Sequence, residues 1–126
     1  MEVGRTLCER YLLERELGRG IVGTVFAGRD LLLDREIAIK VVKRRRYQRD
    51  LPKWLRQAKQ AARLQHPGLV SVFDFGVEHE LGYLVMPLLV GRTLDELFIV
   101  GPLPLRLVAK LGFQASLAIA HAHARR

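Results

Sequence analysis

Cysteine is almost absent from this chain, and long apolar runs are missing. The single cysteine, Cys8, excludes an internal disulfide and fits a reducing compartment. The longest uncharged stretches, around 81–91 and 111–120, fall well short of the roughly 20 apolar residues that a membrane-spanning helix needs. The first residues also lack the apolar core of a signal peptide. These absences predict a cytoplasmic segment, although a longer parent protein could carry a membrane span elsewhere.

Acidic residues are missing from one long stretch. None occurs from Leu51 to Val72, and the segment 43–63 contains nine basic residues against one acidic residue. The whole chain has a formal net charge of +8. Such a segment could contact nucleic acid or an acidic partner by neutralising negative charge. Because no aromatic ladder or base-reading motif accompanies it, we interpret it as a solvated loop and helix face and do not expect a nucleic-acid partner.

Three glycines, Gly18, Gly20 and Gly23, have the G-x-G-x-x-G spacing of loops whose backbone N–H groups close on an anion. In a dinucleotide-binding fold, a helix follows such glycines directly. Here the β-branched and aromatic residues within 24–27 predict a strand, and residues 11–17 predict another strand before the loop. The glycines therefore form the tip of a predicted β-hairpin, which is suited to lie over phosphates.

A lysine interrupts the next apolar segment, residues 37–42. Strand alternation places Ala38, Lys40 and Val42 on one face. A lysine inside an apolar strand is costly unless an anion meets it, whereas a lysine on an edge strand can extend its ammonium group to water. The neighbouring glycine loop favours the first alternative.

Together, the glycine loop and the strand containing Lys40 resemble the amino-terminal lobe of a protein kinase of the bacterial serine/threonine type. The resemblance covers residues 11–126 and divides them into an N-lobe at 11–86, a hinge at 87–91 and the start of a C-lobe at 92–126. It implies an α+β, protein-kinase-like fold. That fold would comprise a five-stranded antiparallel sheet with one large helix, followed by the hinge and the first helices of the C-lobe.

The resemblance also implies an ATP site. Lys40 would hold the α- and β-phosphates, and Val25 and Ala38 would pack on the adenine. Met86 would be the gatekeeper, and the hinge residues that follow it would bind the adenine through backbone groups. The implied ATP-binding residues are Leu17, Gly18, Arg19, Gly20, Ile21, Val22, Gly23, Thr24, Val25, Ala38, Lys40, Met86, Pro87 and Leu89.

The resemblance and the sequence patterns together predict the remaining elements. A helix begins near Asp50, a candidate N-cap, and ends near Gln65. Residues 70–74 predict the fourth strand and residues 83–86 the fifth, and Thr93 predicts an N-cap for a short helix. Apolar residues with helical spacing predict a long final helix, namely Leu107, Leu111, Ala115, Ala118 and Ala122.

Gln57 departs from the family pattern. In kinases a helix glutamate pairs with the strand lysine, and counting back from His66-Pro67 puts that glutamate at position 57. Gln57 can accept a hydrogen bond from Lys40, but a charge-assisted bond is worth roughly 1.5–3 kcal/mol against about 1 kcal/mol for a neutral one. We therefore expect Lys40 to be poorly anchored and phosphoryl transfer to be weakened.

Two apparent metal motifs are given no metal role. Asp74-Phe75-Gly76 spells the magnesium-binding tripeptide of kinases but precedes the hinge, so we interpret it as a strand end with a turn glycine. His121 and His123 are two residues apart and do not face each other on a helix. The catalytic loop of the family and the ligands for Mg²⁺, which the family uses, do not occur within the 126 residues, so no catalytic residue is assigned.

Two functions remain open. The chain is either the ATP-binding portion of a serine/threonine protein kinase, catalytically incomplete as it stands, or a pseudokinase-like or relic module that binds without catalysis. The sequence identifies no protein substrate. The final helix is rich in alanine and leucine, and an uncovered apolar face on it predicts self-association.

Overall fold

The computed structural model describes residues 3–21, 23–43 and 51–125. Val22 and Asp50, which carry two of the sequence predictions, lie outside these ranges. The elements in chain order are β1 (Thr6–Leu7), β2 (Tyr11–Arg19), β3 (Thr24–Asp30), β4 (Arg35–Lys43), α1 (Leu51–Arg63), β5 (Asp74–Glu78), β6 (Leu81–Pro87), α2 (Leu94–Val100) and α3 (Leu105–Ala124).

The strands form one antiparallel sheet in the order β1-β2-β3-β4-β6-β5. Four of the five predicted strands lie where the sequence predicts them, the fourth is displaced, and the two-residue strand β1 adds a sixth at the β2 edge. Helix α1 joins β4 to β5 and packs against β5. The result is an α+β arrangement in which the glycine loop connects β2 and β3 at one end of the sheet.

The two faces of the sheet differ in their surroundings. Phe26, Ile39 and Val85 lie opposite one another on β3, β4 and β6 and are fully buried. Strand alternation places Lys40 on the other face. The buried cluster comprises Leu7, Tyr11, Leu13, Phe26, Ile37, Ile39, Val41, Tyr83 and Val85. The core therefore fixes the strands from one side and leaves the Lys40 side available for a site.

The fourth predicted strand is displaced along the chain. Residues 70–73 form a loop, and β5 begins at Asp74, where the sequence prediction ended. The register explains the shift, because Asp74 lies opposite Val85 and Glu78 opposite Leu81, with the hairpin turning at His79 and Glu80. Pairing with β6, rather than local β-propensity, decides where β5 starts.

Gly76 corrects the interpretation of Asp74-Phe75-Gly76. It lies in the middle of β5, opposite Tyr83, and makes no turn. A Cβ atom at this position would lie 2.7 Å from the hydroxyl oxygen of Tyr83. Glycine is therefore needed here because the buried tyrosine crosses the strand, not because the chain reverses.

The helices follow their predicted positions with small changes. Helix α1 ends at Arg63, two residues before the expected end at Gln65, where the Leu64 N–H bonds to the Ala61 carbonyl in a tighter turn. The cap at Thr93 is confirmed: its hydroxyl accepts the Glu96 N–H at 3.1 Å, and the Glu96 carboxylate accepts the Thr93 N–H in return.

Candidate functional site

The glycine loop is a narrow hairpin tip. The Gly20 N–H donates to the Gly23 carbonyl at 2.9 Å and closes the tip. Ile21 lies at its apex and is 83% exposed, while Leu17 and Arg19 line its β2 side and are also exposed. Arg19 is held by an ion pair with Glu16, so its guanidinium group is directed along β2.

The three glycines of the loop differ in whether the packing of the fold requires them. At Gly23 an added Cβ atom would lie 2.3 Å from the carbonyl oxygen of Val41, so the packing of β3 on β4 excludes any side chain. Among the described residues, no atom lies within 4 Å of such a Cβ at Gly18, and at Gly20 the nearest lies at 3.9 Å. Neither Gly18 nor Gly20 has a positive φ. The fold therefore requires Gly23, whereas the space beside Gly18 and Gly20 is left open.

Lys40 lies directly beside this loop. Gly18 pairs with Val25, and Val25 pairs with Lys40, so all three residues lie side by side on adjacent strands. Lys40 is half-buried and, within the described residues, has neither an ion pair nor a side-chain hydrogen bond. A half-buried ammonium group without a carboxylate partner is able to receive an anion.

A second row of residues extends the same face. Ala38 lies between Ala27 and Met86 on the neighbouring strands. Ala27 and Ala38 are buried, and Met86 is half-buried. Two alanines side by side give a flat apolar floor with Met86 at its edge. Pro87 ends β6, and the following segment places Leu89 on the surface with 68% of its area exposed.

Among its described side chains, helix α1 contributes no partner to Lys40. Gln57 is exposed and makes no hydrogen bond within the described residues, so the bond to Lys40 that its amide would permit is not formed. Ala58, the next residue, is buried. The basic side chains of the described helix are exposed, as the sequence predicts for a solvated face; they are Lys53, Arg56, Lys59 and Arg63.

The Asp74 carboxylate already accepts hydrogen bonds from other groups of the protein. Its carboxylate accepts a hydrogen bond from the Tyr11 hydroxyl and another from the Phe75 N–H at 2.8 Å. Burial and this bond raise the pKa of Tyr11, which keeps the hydroxyl protonated as the donor. Within the described residues, no group of three or more His, Cys, Asp and Glu side chains could hold a metal ion.

A buried ion pair that the sequence patterns do not reveal fixes the far end of the sheet. Asp30 is 1% exposed and accepts two hydrogen bonds from the Arg10 guanidinium group, both at 2.9 Å. These bonds, opposed by burial and aided by the Leu32 and Leu33 N–H groups, lower the pKa of Asp30 to about 2. No local periodicity marks such a pair, because its members come from β3 and from the turn before β2.

His121 and His123 do not form a pair. The ring of His121 packs against His66, with ring centroids 4.9 Å apart, whereas His123 is exposed. The two helical histidines therefore have different surroundings.

The fold has close counterparts among solved structures. Crystal structures of the kinase domain of PknI from Mycobacterium tuberculosis superpose with TM-scores of 0.89 and 0.90, cover 99% of this chain and share 24% of its sequence. The chain covers 51–53% of those kinase domains. The fold is thus that of the first half of a protein kinase domain.

The sequence matches the family described as the protein kinase domain over residues 11–126, and the chain belongs to that family. It is 37% identical over 127 aligned residues to the serine/threonine-protein kinase PrkC of Bacillus subtilis, covering 98% of this chain. It is 39% identical to the DNA damage-responsive serine/threonine-protein kinase RqkA of Deinococcus radiodurans, covering 95% of this chain. The chain spans 19% of the length of each of these two relatives.

These relatives are bacterial serine/threonine kinases, so the resemblance stated from the sequence is confirmed at the level of the family. The chain corresponds to the amino-terminal portion of the kinase domain. No helix in the described part of the chain is long and apolar enough to cross a membrane.

Proposed function

We propose that this chain is the ATP-binding part of a serine/threonine protein kinase, with the glycine loop and Lys40 holding the phosphates. The observation that carries the proposal is the register of Gly18, Val25 and Lys40 side by side. Among the described residues, the space at Gly18 is open and the Lys40 ammonium group has no carboxylate partner. Loop N–H groups and the lysine ammonium group can together neutralise phosphate charge. The family match and the serine/threonine kinase relatives support the same assignment.

The adenine site is part of the proposal. Ala38 and Val25 would contact the base from the sheet, with Met86 limiting the depth of the site. The carbonyl of Pro87 and the backbone of Leu89 would accept and donate its hydrogen bonds, and proline is tolerated at 87 because only its carbonyl is needed. Val25, Ala38 and Met86 share the Lys40 side of the sheet by register, which supports their part of the proposal. The roles of Pro87 and Leu89 are those that the family resemblance implies.

Mg²⁺ is used by the family, but the described residues do not offer a site for it. The Asp74 carboxylate is engaged by Tyr11 and Phe75, and it lies on β5 at the edge of the sheet. We therefore derive no metal-dependent step from this chain.

A titration with a fluorescent ATP analogue tests the proposal. Lys40→Met should weaken binding at least about tenfold, equivalent to roughly 1.4 kcal/mol, because a direct phosphate contact is lost. Lys43→Met is the matched control: Lys43 is an exposed lysine at the end of the same strand and on the other face. Equal effects of the two substitutions, or no binding by the parent chain, would contradict the proposal.

Gln57 supports a second candidate, a pseudokinase-like module that binds nucleotide without transferring phosphate. The structure leaves Gln57 exposed and Lys40 without a helix partner among the described residues. In a chain that also contains a catalytic loop, Gln57→Glu should raise the rate of phosphoryl transfer, and Gln60→Glu, an exposed change on the same helix, should not. An equal or lower rate with Gln57→Glu would remove the argument that position 57 limits catalysis.

A further inference from the structure

A tight turn after α1 ends in a histidine–glycine contact. The Leu69 N–H donates to the His66 carbonyl at 3.0 Å, and the Gly68 N–H donates to His66 Nδ1 at 2.9 Å. Because Nδ1 accepts this bond, the proton of the neutral His66 ring lies on Nε2. The imidazole is thereby fixed in both orientation and tautomer.

Helix α3 docks on this turn. Ala118 is the buried residue of the described helix, with 3% of its surface exposed. A Cβ atom on Gly68 would lie 2.7 Å from the Ala118 Cβ, so the turn and the helix are in close contact. One helical turn later, the His121 ring packs against the His66 ring with an interplanar angle of 44°. The docking surface thus consists of the Gly68–Ala118 contact and the two imidazole rings.

In the described part of the chain, no acceptor is available for a second proton on His121. Its Nε2 atom is buried and has no hydrogen-bond partner within the described residues. The charged or titratable groups of the described residues that face it are Arg125, directly after α3, and His66 on the turn, and no carboxylate is among them. Burial, then Arg125 and His66, hold the pKa of His121 below its ordinary value of 6.5.

We propose that the contact between α3 and the His66–Gly68 turn is a proton-sensitive joint, which is docked while His121 is neutral and released when His121 takes up a proton. A protonated imidazole is a donor at both nitrogens. In the docked state the additional N–H group would be buried without an acceptor, beside a second imidazole and a guanidinium group. Undocking returns that group to water.

A shared metal ion does not fit the same two rings. His66 Nδ1 accepts the Gly68 N–H, and His66 Nε2 carries the proton, so neither nitrogen of that ring offers a free lone pair. The described residues also supply no third ligand. The ion to which this cluster responds is therefore the proton.

The direction and size of the effect follow from linkage. A histidine whose pKa is lower in the docked state binds fewer protons there, so docking weakens as the pH falls below about 6.5 and is unaffected well above it. At pH 5.5 a free imidazole of pKa 6.5 is protonated about tenfold over its neutral form, so the docking equilibrium can fall by at most about tenfold.

Two NMR measurements on the 126-residue chain test the proposal. The first follows the His121 ring resonance from pH 8 to 4, and a midpoint below 6.5 is expected. The second compares amide-exchange protection of the α3 residues around Ala118 at pH 7.5 and 5.5, after correction for intrinsic exchange rates. Protection should fall several-fold in the parent chain, with a ceiling of about tenfold.

Three variants distinguish the effect of protonating His121 from the effect of packing its ring against His66. His121→Phe keeps an aromatic ring against His66 and His121→Gln keeps a polar side chain; in both, the loss of protection between pH 7.5 and 5.5 should disappear. His123→Phe removes an exposed histidine of the same helix and should leave that loss unchanged. A His121 midpoint at or above 6.5, or a change below twofold in the parent chain, overturns the proposal. So does a pH dependence that persists in whichever His121 variant folds.

Discussion

Replacing Asp30 by asparagine should destabilise the sheet by about 2 kcal/mol. Asp30 is 1% exposed, and its Oδ1 accepts the Arg10 Nε–H at 2.9 Å and the N–H groups of Leu32 and Leu33 at 3.0 and 3.2 Å. Its Oδ2 accepts the Arg10 Nη2–H at 2.9 Å. The side chain thereby joins the end of β3 to the residue before β2 and to the following turn.

The magnitude follows from what asparagine can replace. Its carbonyl oxygen can keep the position of Oδ1, but its NH₂ group then faces the Nη2 donor of Arg10, and the negative charge is lost. A hydrogen bond to a charged group is worth roughly 1.5–3 kcal/mol. Because the Arg10 side chain is 30% exposed, water can hydrogen-bond to its guanidinium group and replace part of the lost interaction. The expected loss of stability is therefore about 2 kcal/mol.

The same site predicts an acid-sensitive stability. The pKa of Asp30 is about 2 in the folded chain, against an ordinary value of 3.8. A lowered carboxyl pKa stabilises the fold fully above the unfolded value, and this contribution is lost as the pH falls from about 4 towards 2. The Asp30→Asn variant should lack this part of the acid transition.

Urea unfolding at pH 7 and pH 3 measures both effects. Asp34→Asn is the control, because Asp34 pairs with Arg29 but its side chain is 82% exposed, and surface pairs contribute little. At pH 7, Asp30→Asn should lower the unfolding free energy by about 2 kcal/mol while Asp34→Asn leaves it nearly unchanged. The gap between Asp30→Asn and the parent chain should narrow at pH 3. Similar losses in the two variants would refute the assignment of Asp30 as a buried anchor.

Two further predictions concern the glycine loop and the last helix. Gly23→Ala should lower the thermal midpoint, measured by circular dichroism, because its Cβ atom would lie 2.3 Å from the Val41 carbonyl oxygen. Gly18→Ala is the control and should leave the midpoint unchanged, since no described atom lies within 4 Å of its Cβ position. Equal shifts in the two variants would contradict this distinction. Phe113, which is 66% exposed on α3, should support self-association, so sedimentation velocity should show oligomers that Phe113→Glu reduces; a monomer in the parent chain would contradict this.

Local chemistry explains the features that were predicted from the sequence. The glycine spacing followed by β-branched residues places the β2–β3 hairpin, and Thr93 marks the N-cap of α2 because threonine is a favoured capping residue. Lys40 stands out because it interrupts an apolar strand. Each of these signals is contained in a short segment, so its physical meaning does not depend on the rest of the chain.

The sequence predictions miss features that depend on contacts between residues far apart in the chain. The start of β5 is fixed by its register on β6, and Gly76 is required by the ring of Tyr83 across the sheet. The Arg10–Asp30 pair joins residues 20 positions apart without any periodic pattern. Contacts of this kind follow from the assembled sheet, and local propensity does not contain them.

The glycine loop shows how a fold requirement differs from a ligand requirement. Gly23 cannot be replaced without moving β4, so its presence is explained by packing alone. Packing and backbone conformation of the described residues leave Gly18 and Gly20 unexplained, since an added Cβ atom would meet nothing closer than 3.9 Å at either position. If the loop holds phosphates as proposed, side chains at these two positions would crowd the loop N–H groups that approach the anion. Replacing Gly23 by alanine should therefore lower the stability of the fold, whereas replacing Gly18 or Gly20 should not. All three substitutions should weaken nucleotide binding in a titration.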